Sequence, residues 1–488
     1  MTLIKRLTCV ALLALIAATP AFARAREPAH DIRDPNAHDI RDPNGFTHSF
    51  HSAPALHPPI IAMSGTDPDA GAGDIFTDAQ NSIQAGPMII SPQGQLIWFD
   101  PLPNRGFAHD VAVQRYAGKT VLTYWQKNGG AQDVILNHNY RPVARVRAGN
   151  GYITGDHEFQ ITPHGTALIT ASTNKPANLT SIRGPRNGTV IDNVIQEVNI
   201  ATGRVLWQWD PDRHLSWSAS YEDRPGSAPW DFTHMNSVQQ LPDGNLLVSV
   251  RNTWAVYEIS KRTGKILWAL GGKHSSFKMG PGTRFEWQHD ARMHKDGTIT
   301  LFDDGSDGVH RNEKQSRALR IRLNFTAHTA TLVHAYTNNP PLLSVSQGNV
   351  QVLPDGNTFV DWGFKPYLTE FSKDGGRQLF SIHFRPPLQS YRGYRFPWWG
   401  QPTTPPSVAA SARSSGTTLY ASWNGATTVA SWRVLAGPSA AGLSAVEQFP
   451  DASFETTMHV SSTGPYFAVE ALDITGRPLA VSRVVKAR

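Results

Sequence analysis

The sequence predicts an all-β chain: a six-bladed β-propeller over 75–400, followed by a small β-sandwich over 401–488. Three observations predict it. First, residues 230–268 hold four short runs, 234–241, 245–250, 255–259 and 265–268, in which apolar and polar residues alternate. Pro242-Asp243-Gly244 and Thr263-Gly264 separate them with the positive φ that hairpins need, and four antiparallel strands in about 40 residues make one propeller blade. Second, the same grammar recurs. His109, His157, His234, His289 and Gln347 each open a strand–hairpin unit, and Gly-x-apolar-apolar-Trp closes units at 94–98, 203–207 and 264–268, with a degenerate copy at 376–380. Counting the unit that ends at Trp98 gives six. Third, the composition changes after the Pro-Thr-Thr-Pro-Pro hinge at 402–406. Short alternating strands follow at 419–423, 431–435, 454–460, 466–472 and 479–485, with no helical period.

Taken from the start, two positive charges precede an apolar run at 7–18 and a small-x-small site at 21–23, so 1–23 reads as a secretory signal peptide. The expected destination is periplasmic or extracellular. The single cysteine, Cys9, lies inside this leader, so the mature chain has no disulfide and no cysteine metal site. An octapeptide, Ala-His-Asp-Ile-Arg-Asp-Pro-Asn, occurs twice within 29–44, and 24–74 is expected to be a largely irregular extension. No later stretch is long and apolar enough to cross a bilayer as a helix. The run from Tyr466, Tyr-Phe-Ala-Val-Glu-Ala-Leu-Asp-Ile-Thr-Gly, resembles the penultimate strand of fibronectin type III modules. This region carries no candidate catalytic residue, and its removal is expected to leave the propeller folded. The aromatic run 391–399 is where the two are expected to touch.

The formal net charge of +6 is dispersed with no basic stripe, which argues against nucleic acid. The chemistry lies in the openers. The first strand of each blade borders the central channel, so His109, His157, His234 and His289 converge at one end of it. A histidine bonded only within its own blade is the bland reading, and the recurrence of four argues for a site. Strict strand alternation would turn Asp110, Glu158 and Asp290 to the opposite face, away from the histidines, which argues against a metal. Arg251 ends the second strand of the His234 unit, and the hairpin brings it back beside His234. Imidazoles, one guanidinium and the Asn236 carboxamide make a pocket for a small oxyanion.

His-x-Asn-Ser at 234–237, Arg251 and Gln-His-Asp at 288–290 resemble the bacterial aryl sulfate sulfotransferases, which work without 3′-phosphoadenylyl sulfate. The resemblance covers 75–400. It implies a six-bladed propeller, an aryl sulfate donor, a phenolic acceptor and a covalent sulfohistidine, with no cofactor and no metal. It assigns the sulfurylated residue to His289, catalytic roles to His234 and Arg251, and a further catalytic histidine most simply to His157, with His109 the alternative and otherwise expected, with Asn236, to bind substrate. Better studied members carry an N-terminal β-domain that this chain lacks, so oligomeric state does not carry over. Two other readings stand beside it. The closing Trp repeats also resemble quinoprotein dehydrogenases, although no acid ring and only six units are legible. A non-catalytic, adhesive propeller is the third.

Overall fold

The computed structural model describes residues 30–32, 40–42 and 45–488, apart from 66, 68, 224 and 463. The signal peptide, Cys9 and most of the octapeptide repeat lie outside the described residues. Helix among the described residues is confined to four 3-10 turns of three residues each, and no helix is long and apolar enough to cross a membrane.

Six sheets carry the region 61–396. The fourth sheet matches the sequence-derived strands closely, with Met235–Gln240, Leu246–Val250, Ala255–Ile259 and Ile266–Gly271 in sequential antiparallel order. The second (Ala108–Tyr116 to Pro142–Val146), third (Ile153–Ile161 to Val205–Trp209) and fifth (His289–Met293 to Thr329–Tyr336) sheets repeat that order. The other two hold a finding the sequence did not yield. The first sheet draws only Asp74–Ala79, Gly86–Ile90 and Leu96–Phe99 from its own stretch, and Tyr394–Phe396 supplies the missing strand by pairing Tyr394 with Phe76. The sixth sheet, Asn349–Val352 to Gln378–Phe384, gains Ile61–Ser64, with Ile382 opposite Met63, and His30–Ile32 pairs beyond it as the outermost strand. So the extension is not irregular throughout, and both ends of the region are stitched into neighbouring sheets.

The first strands of successive sheets lie side by side, and Tyr394–Phe396 lies against both Ala108–Tyr116 and Thr358–Asp361, which closes the ring. Carboxamides join these strands. Gln114 donates to Phe159 O (2.8 Å) and accepts from Ile161 N (2.8 Å). Gln239 does the same with Met293 O and N at 3.1 and 2.7 Å, and Gln351 with Arg395 O and N at 2.9 and 2.7 Å. Each amide satisfies a donor and an acceptor that the twist between sheets would leave unpaired. Apolar clusters fill the wedges between sheets. Leu247, Val256 and Leu270 of the fourth sheet, for example, pack on Ile299, Leu301 and Leu319 of the fifth.

Beyond 406, a three-stranded sheet (Ser407–Arg413, Gly416–Ser422, Glu455–Val460) and a second sheet (Ser431–Gly437, Ser444–Pro450, Tyr466–Leu472, Pro478–Val481, Val485–Lys486) share one core. Leu419 and Met458 meet Trp432, Val434 and Phe467 there. Ser407–Arg413 and Ser444–Pro450 escaped the sequence reading, the latter because its exposed Ser-Ala-Val-Glu-Gln-Phe-Pro edge has no apolar face. The aromatic run does reach this unit's neighbourhood: Trp398 donates to Tyr140 Oη (2.9 Å), which donates to Gly425 O (2.8 Å). The seam is wider than that run, however. Asn424 brackets Phe99 by accepting from its N (3.0 Å) and donating to its O (2.8 Å). Phe454 packs on Phe50 with ring centroids 4.5 Å apart. The buried Glu455 carboxylate accepts from Ser52 N at 2.6 Å.

Candidate active site

Strand geometry is irregular at or beside the openers. Asp110, His234, Asp290 and Gln347 take φ of 55°, 49°, 52° and 71°, the left-handed region that side chains rarely occupy. Strand register breaks between His109 and Ala112, Thr154 and Phe159, Met235 and Ser237, and His289 and Arg292. A bulge of this kind suspends alternation, so consecutive side chains can both turn inward. His109 and Asp110 are both buried, as are His289 and Asp290. The result is two stacked layers, one of imidazoles and one of carboxylates.

In the upper layer each imidazole has a carboxylate at Nδ1. His289 Nδ1 is 2.7 Å from Asp304 Oδ2, and His234 Nδ1 is 2.7 Å from Asp231 Oδ2. Asp156 serves two rings, with Oδ1 2.9 Å from His157 Nδ1 and Oδ2 3.3 Å from His109 Nδ1, the longer contact lacking hydrogen-bond alignment. At His289, His234 and His157 such contacts fit an Nδ1 that faces the carboxylate, which leaves Nε2 on the other side of the ring. The Nε2 atoms of His157 and His234 meet at 3.1 Å, within reach of a single hydrogen bond. Burial tends to raise the Asp156 carboxyl, but His157 and His109 hold it well below the usual range. Burial pulls His234 below the ordinary imidazole value against the attraction of Asp231.

His289 is 2% exposed, and burial, then the Arg251 guanidinium, then His234 and His157 hold it well below the ordinary value. At neutral pH this favours the uncharged imidazole. Its Nε2 accepts the Gln347 N–H at 3.2 Å. Arg251 arrives as the hairpin argument requires, donating its backbone N–H to His234 O at 3.1 Å. Its fork is not empty: Nη2 donates to Val345 O (3.2 Å) and Nη1 to Asn252 Oδ1 (3.0 Å), while the buried Nε has no partner. Segment 345–347 therefore caps both His289 and Arg251. Asn236 is fully buried. Its Nδ2 donates to Gln288 O at 2.7 Å, and its Oδ1 has no partner. His109 stacks on Tyr391 (centroids 4.4 Å, 9° between planes).

The lower layer corrects the view that no acid ring exists. Arg392, fully buried, pairs through Nη1 with Asp110 Oδ1 at 2.9 Å, lies 3.6 Å from Glu158 and 3.7 Å from Asp290, and donates through Nη2 to Asn236 O at 2.6 Å. Arg292 pairs with Glu158 (2.7 Å) and Asp290 (2.6 Å). Three acids are thus met by two guanidiniums, while the buried Arg392 Nε has no hydrogen-bond partner.

A family model for arylsulfotransferase (ASST) matches residues 112–385, more than half of the chain. The chain belongs to the arylsulfotransferase (ASST) family. The matched span of this ASST chain contains His157, His234, Asn236, Arg251 and His289, while His109 falls just outside it. No curated protein matches. Among solved structures, the chain is similar to a protein of unknown function from Bacteroides caccae (TM-score 0.38, 16% identity, covering 63% of this chain and 94% of that one). It is also similar to a hydrazine synthase from Kuenenia stuttgartiensis (0.35, 10%, 59% and 70%) and a virginiamycin B lyase from Staphylococcus aureus (0.30, 10%, 74% and 81%). Likenesses this distant carry no weight for the fold, which rests on the strand pairing.

Sequence reasoning missed Asp156, Asp231, Asp304 and Gln347's amide. Asp304 had a signal: it follows strand Thr298–Asp303 as Arg251 follows Leu246–Val250, so the hairpin argument applied to Arg251 would have found it.

Proposed function

We propose that this chain moves a sulfuryl group from an aryl sulfate to a phenol by double displacement through His289, without a nucleotide. On this reading the six sheets are six propeller blades, the two sheets beyond 406 form a sandwich, and the leader at 1–23 sends the protein to the periplasm or beyond. The observation that carries it is a buried imidazole held well below its ordinary value, with Asp304 at 2.7 Å, beside Arg251 and two further histidines whose Nε2 atoms lie 3.1 Å apart. A neutral nucleophile meets the anionic ester without like-charge repulsion.

The donor sulfuryl displaces Gln347 N–H from Nε2 of His289 and Val345 O from Arg251. Nε2 attacks sulfur as the S–O(aryl) bond breaks, and the leaving phenolate takes a proton from the protonated His157–His234 pair. The N–S adduct leaves the imidazole cationic, with Asp304 beside its Nδ1–H. Arg251 and the freed amide hold the sulfuryl oxygens, so stabilisation comes from charge and position. The acceptor phenol then attacks sulfur, the N–S bond breaks, and its proton returns to the histidine pair. Asn236 acts from beneath: its amide is spent on Gln288 O, so it positions His289's neighbour rather than gripping the sulfuryl group. His109 orients Asp156 and thereby His157.

Incubation with 4-nitrophenyl sulfate, with and without phenol, tests this. Expected are phenol-dependent nitrophenol release, parallel-line kinetics, and an acid-labile gain of about 80 Da with donor alone, as a sulfuryl group on an imidazole requires. His289→Asn is expected to abolish adduct and turnover while keeping an N–H for Asp304. Release to water alone, or intersecting lines with no adduct, overturns the covalent scheme. A visible chromophore would instead favour a quinoprotein.

A further inference from the structure

Arg251 has an ionic neighbour that the transfer scheme does not use. The connection between strands Val205–Trp209 and Met235–Gln240 folds back onto the turn that begins with Arg251. Tyr221 N donates to Asn252 O (2.8 Å), and the Tyr221 ring stacks on Trp254, with centroids 3.7 Å apart and 6° between planes. Lys273 Nζ lies 4.5 Å from the Tyr221 ring centroid and donates to Ser218 O (2.8 Å) and Ser220 O (2.5 Å), so this cation is engaged in holding the segment. Glu222 N donates to Ser220 Oγ (3.1 Å). These contacts place Glu222 Oε1 3.8 Å from Arg251 Nη1, with the two side chains 29% and 11% exposed. That distance is too long for a hydrogen bond, so the carboxylate acts on Arg251 through its charge without filling the fork. Burial raises the Glu222 carboxyl, Arg251 lowers it, and Asp231, Asp307 and Asp223 raise it again, so further acids surround it.

We propose that Glu222 sets the charge selectivity of this site, admitting esters with a single negative charge and turning away phosphate esters of the same shape. This rests on the role of Arg251 in the sulfuryl-transfer reading and adds the residue that restricts the substrate class. Sulfate and phosphate monoesters are both tetrahedral and present the same pair of oxygens, so a guanidinium does not separate them by geometry. Charge does separate them: a phosphate monoester carries about 1.5 to 2 negative charges at pH 7, a sulfate monoester a single one. Coulomb energy is proportional to charge, so Arg251 alone would favour the dianion. Glu222 cancels that preference, and the larger desolvation cost of the dianion then decides.

Calorimetric titration of the full chain with two unreactive anions tests this. 4-Nitrobenzenesulfonate is a monoanion with no ester bond to transfer, and 4-nitrophenyl phosphate is mostly a dianion at pH 7. The parent is expected to bind the sulfonate more tightly. Glu222→Gln keeps the shape and removes the charge. It is expected to tighten the phosphate about tenfold and the sulfonate about threefold, since the gain in energy doubles with the charge. Glu222→Asp keeps the charge and is expected to retain the parent's preference. A parent that prefers the phosphate or binds neither anion overturns the proposal. So does a Gln variant that changes both anions equally or not at all, or an Asp variant that behaves like the Gln one. The transfer reading is judged apart from this: it fails if the parent releases no nitrophenol from 4-nitrophenyl sulfate in the presence of phenol. The titrations need no turnover and decide the role of Glu222 in either case.

Discussion

The two layers of the channel are built from consecutive residues yet obey different physics. In the acid layer Asp110, Glu158 and Asp290 are closed around Arg392 and Arg292. In the imidazole layer polar atoms remain open or held by contacts that a ligand can replace, including Arg251 Nε, Asn236 Oδ1 and the Gln347 amide on His289. A network of paired ions holds strands together, whereas polar atoms held by replaceable contacts are available to a ligand. Stability and activity should therefore separate between layers a few ångströms apart.

The largest test is Arg392→Met. It leaves Asp110 buried without its cation, and breaking a buried pair from one side costs about 3–5 kcal/mol, so a large drop in the urea midpoint is expected. An unchanged midpoint would mean that Arg292 alone satisfies the acids. Arg251→Lys should do the reverse. The melting temperature stays near the parent's, while kcat/KM falls by roughly a hundredfold, because Lys lacks the fork that holds two sulfuryl oxygens. Equal activity in the Lys variant would put Arg251 outside the chemistry.

The layers should also respond to pH with opposite signs. Burial raises Glu158 from 4.5 to about 7. The folded state thus binds a proton that the unfolded chain releases, and this stability is present below 4.5 and lost as pH rises through about 7. His289 and His234 are lowered from 6.5, so their contribution is present above 6.5 and lost as pH falls below it. Melting curves across this range should show Glu158→Gln flattening the alkaline decline and His289→Asn flattening the acid one. If either variant merely shifts the whole curve, that layer's protonation is not coupled to folding.

The smallest effect on chemistry is expected from removing 402–488. The seam at Asn424, Phe454 and Glu455 is lost, and burying a Phe contributes about 1.5–3 kcal/mol, so the melting temperature should fall by several degrees. Mass spectrometry should still find the adduct, since none of the proposed catalytic residues lies in the deleted part. A folded truncation that forms no adduct would tie the C-terminal unit to the site.

Sequence periodicity and turn chemistry determined the strands on their own. The alternation of 234–268, its Asp-Gly and Thr-Gly turns and the closing Trp residues leave little freedom, and the observed fourth sheet follows them within a residue or so except at its last strand, which runs on to Gly271. Recurrence of the openers likewise pointed to His157, His234 and His289, and the hairpin rule to Arg251. What only the tertiary structure decided depends on contacts distant in sequence. Tyr394–Phe396 reads as an aromatic run and becomes a strand only because Asp74–Ala79 offers an unpaired edge. The acid layer was invisible because alternation is a rule for regular strands, and the left-handed residues at Asp110 and Asp290 suspend it. No local pattern forces those residues into that conformation. Arg392, far along the chain, is fully buried among the acids, and an unpaired carboxylate there would be too costly to keep.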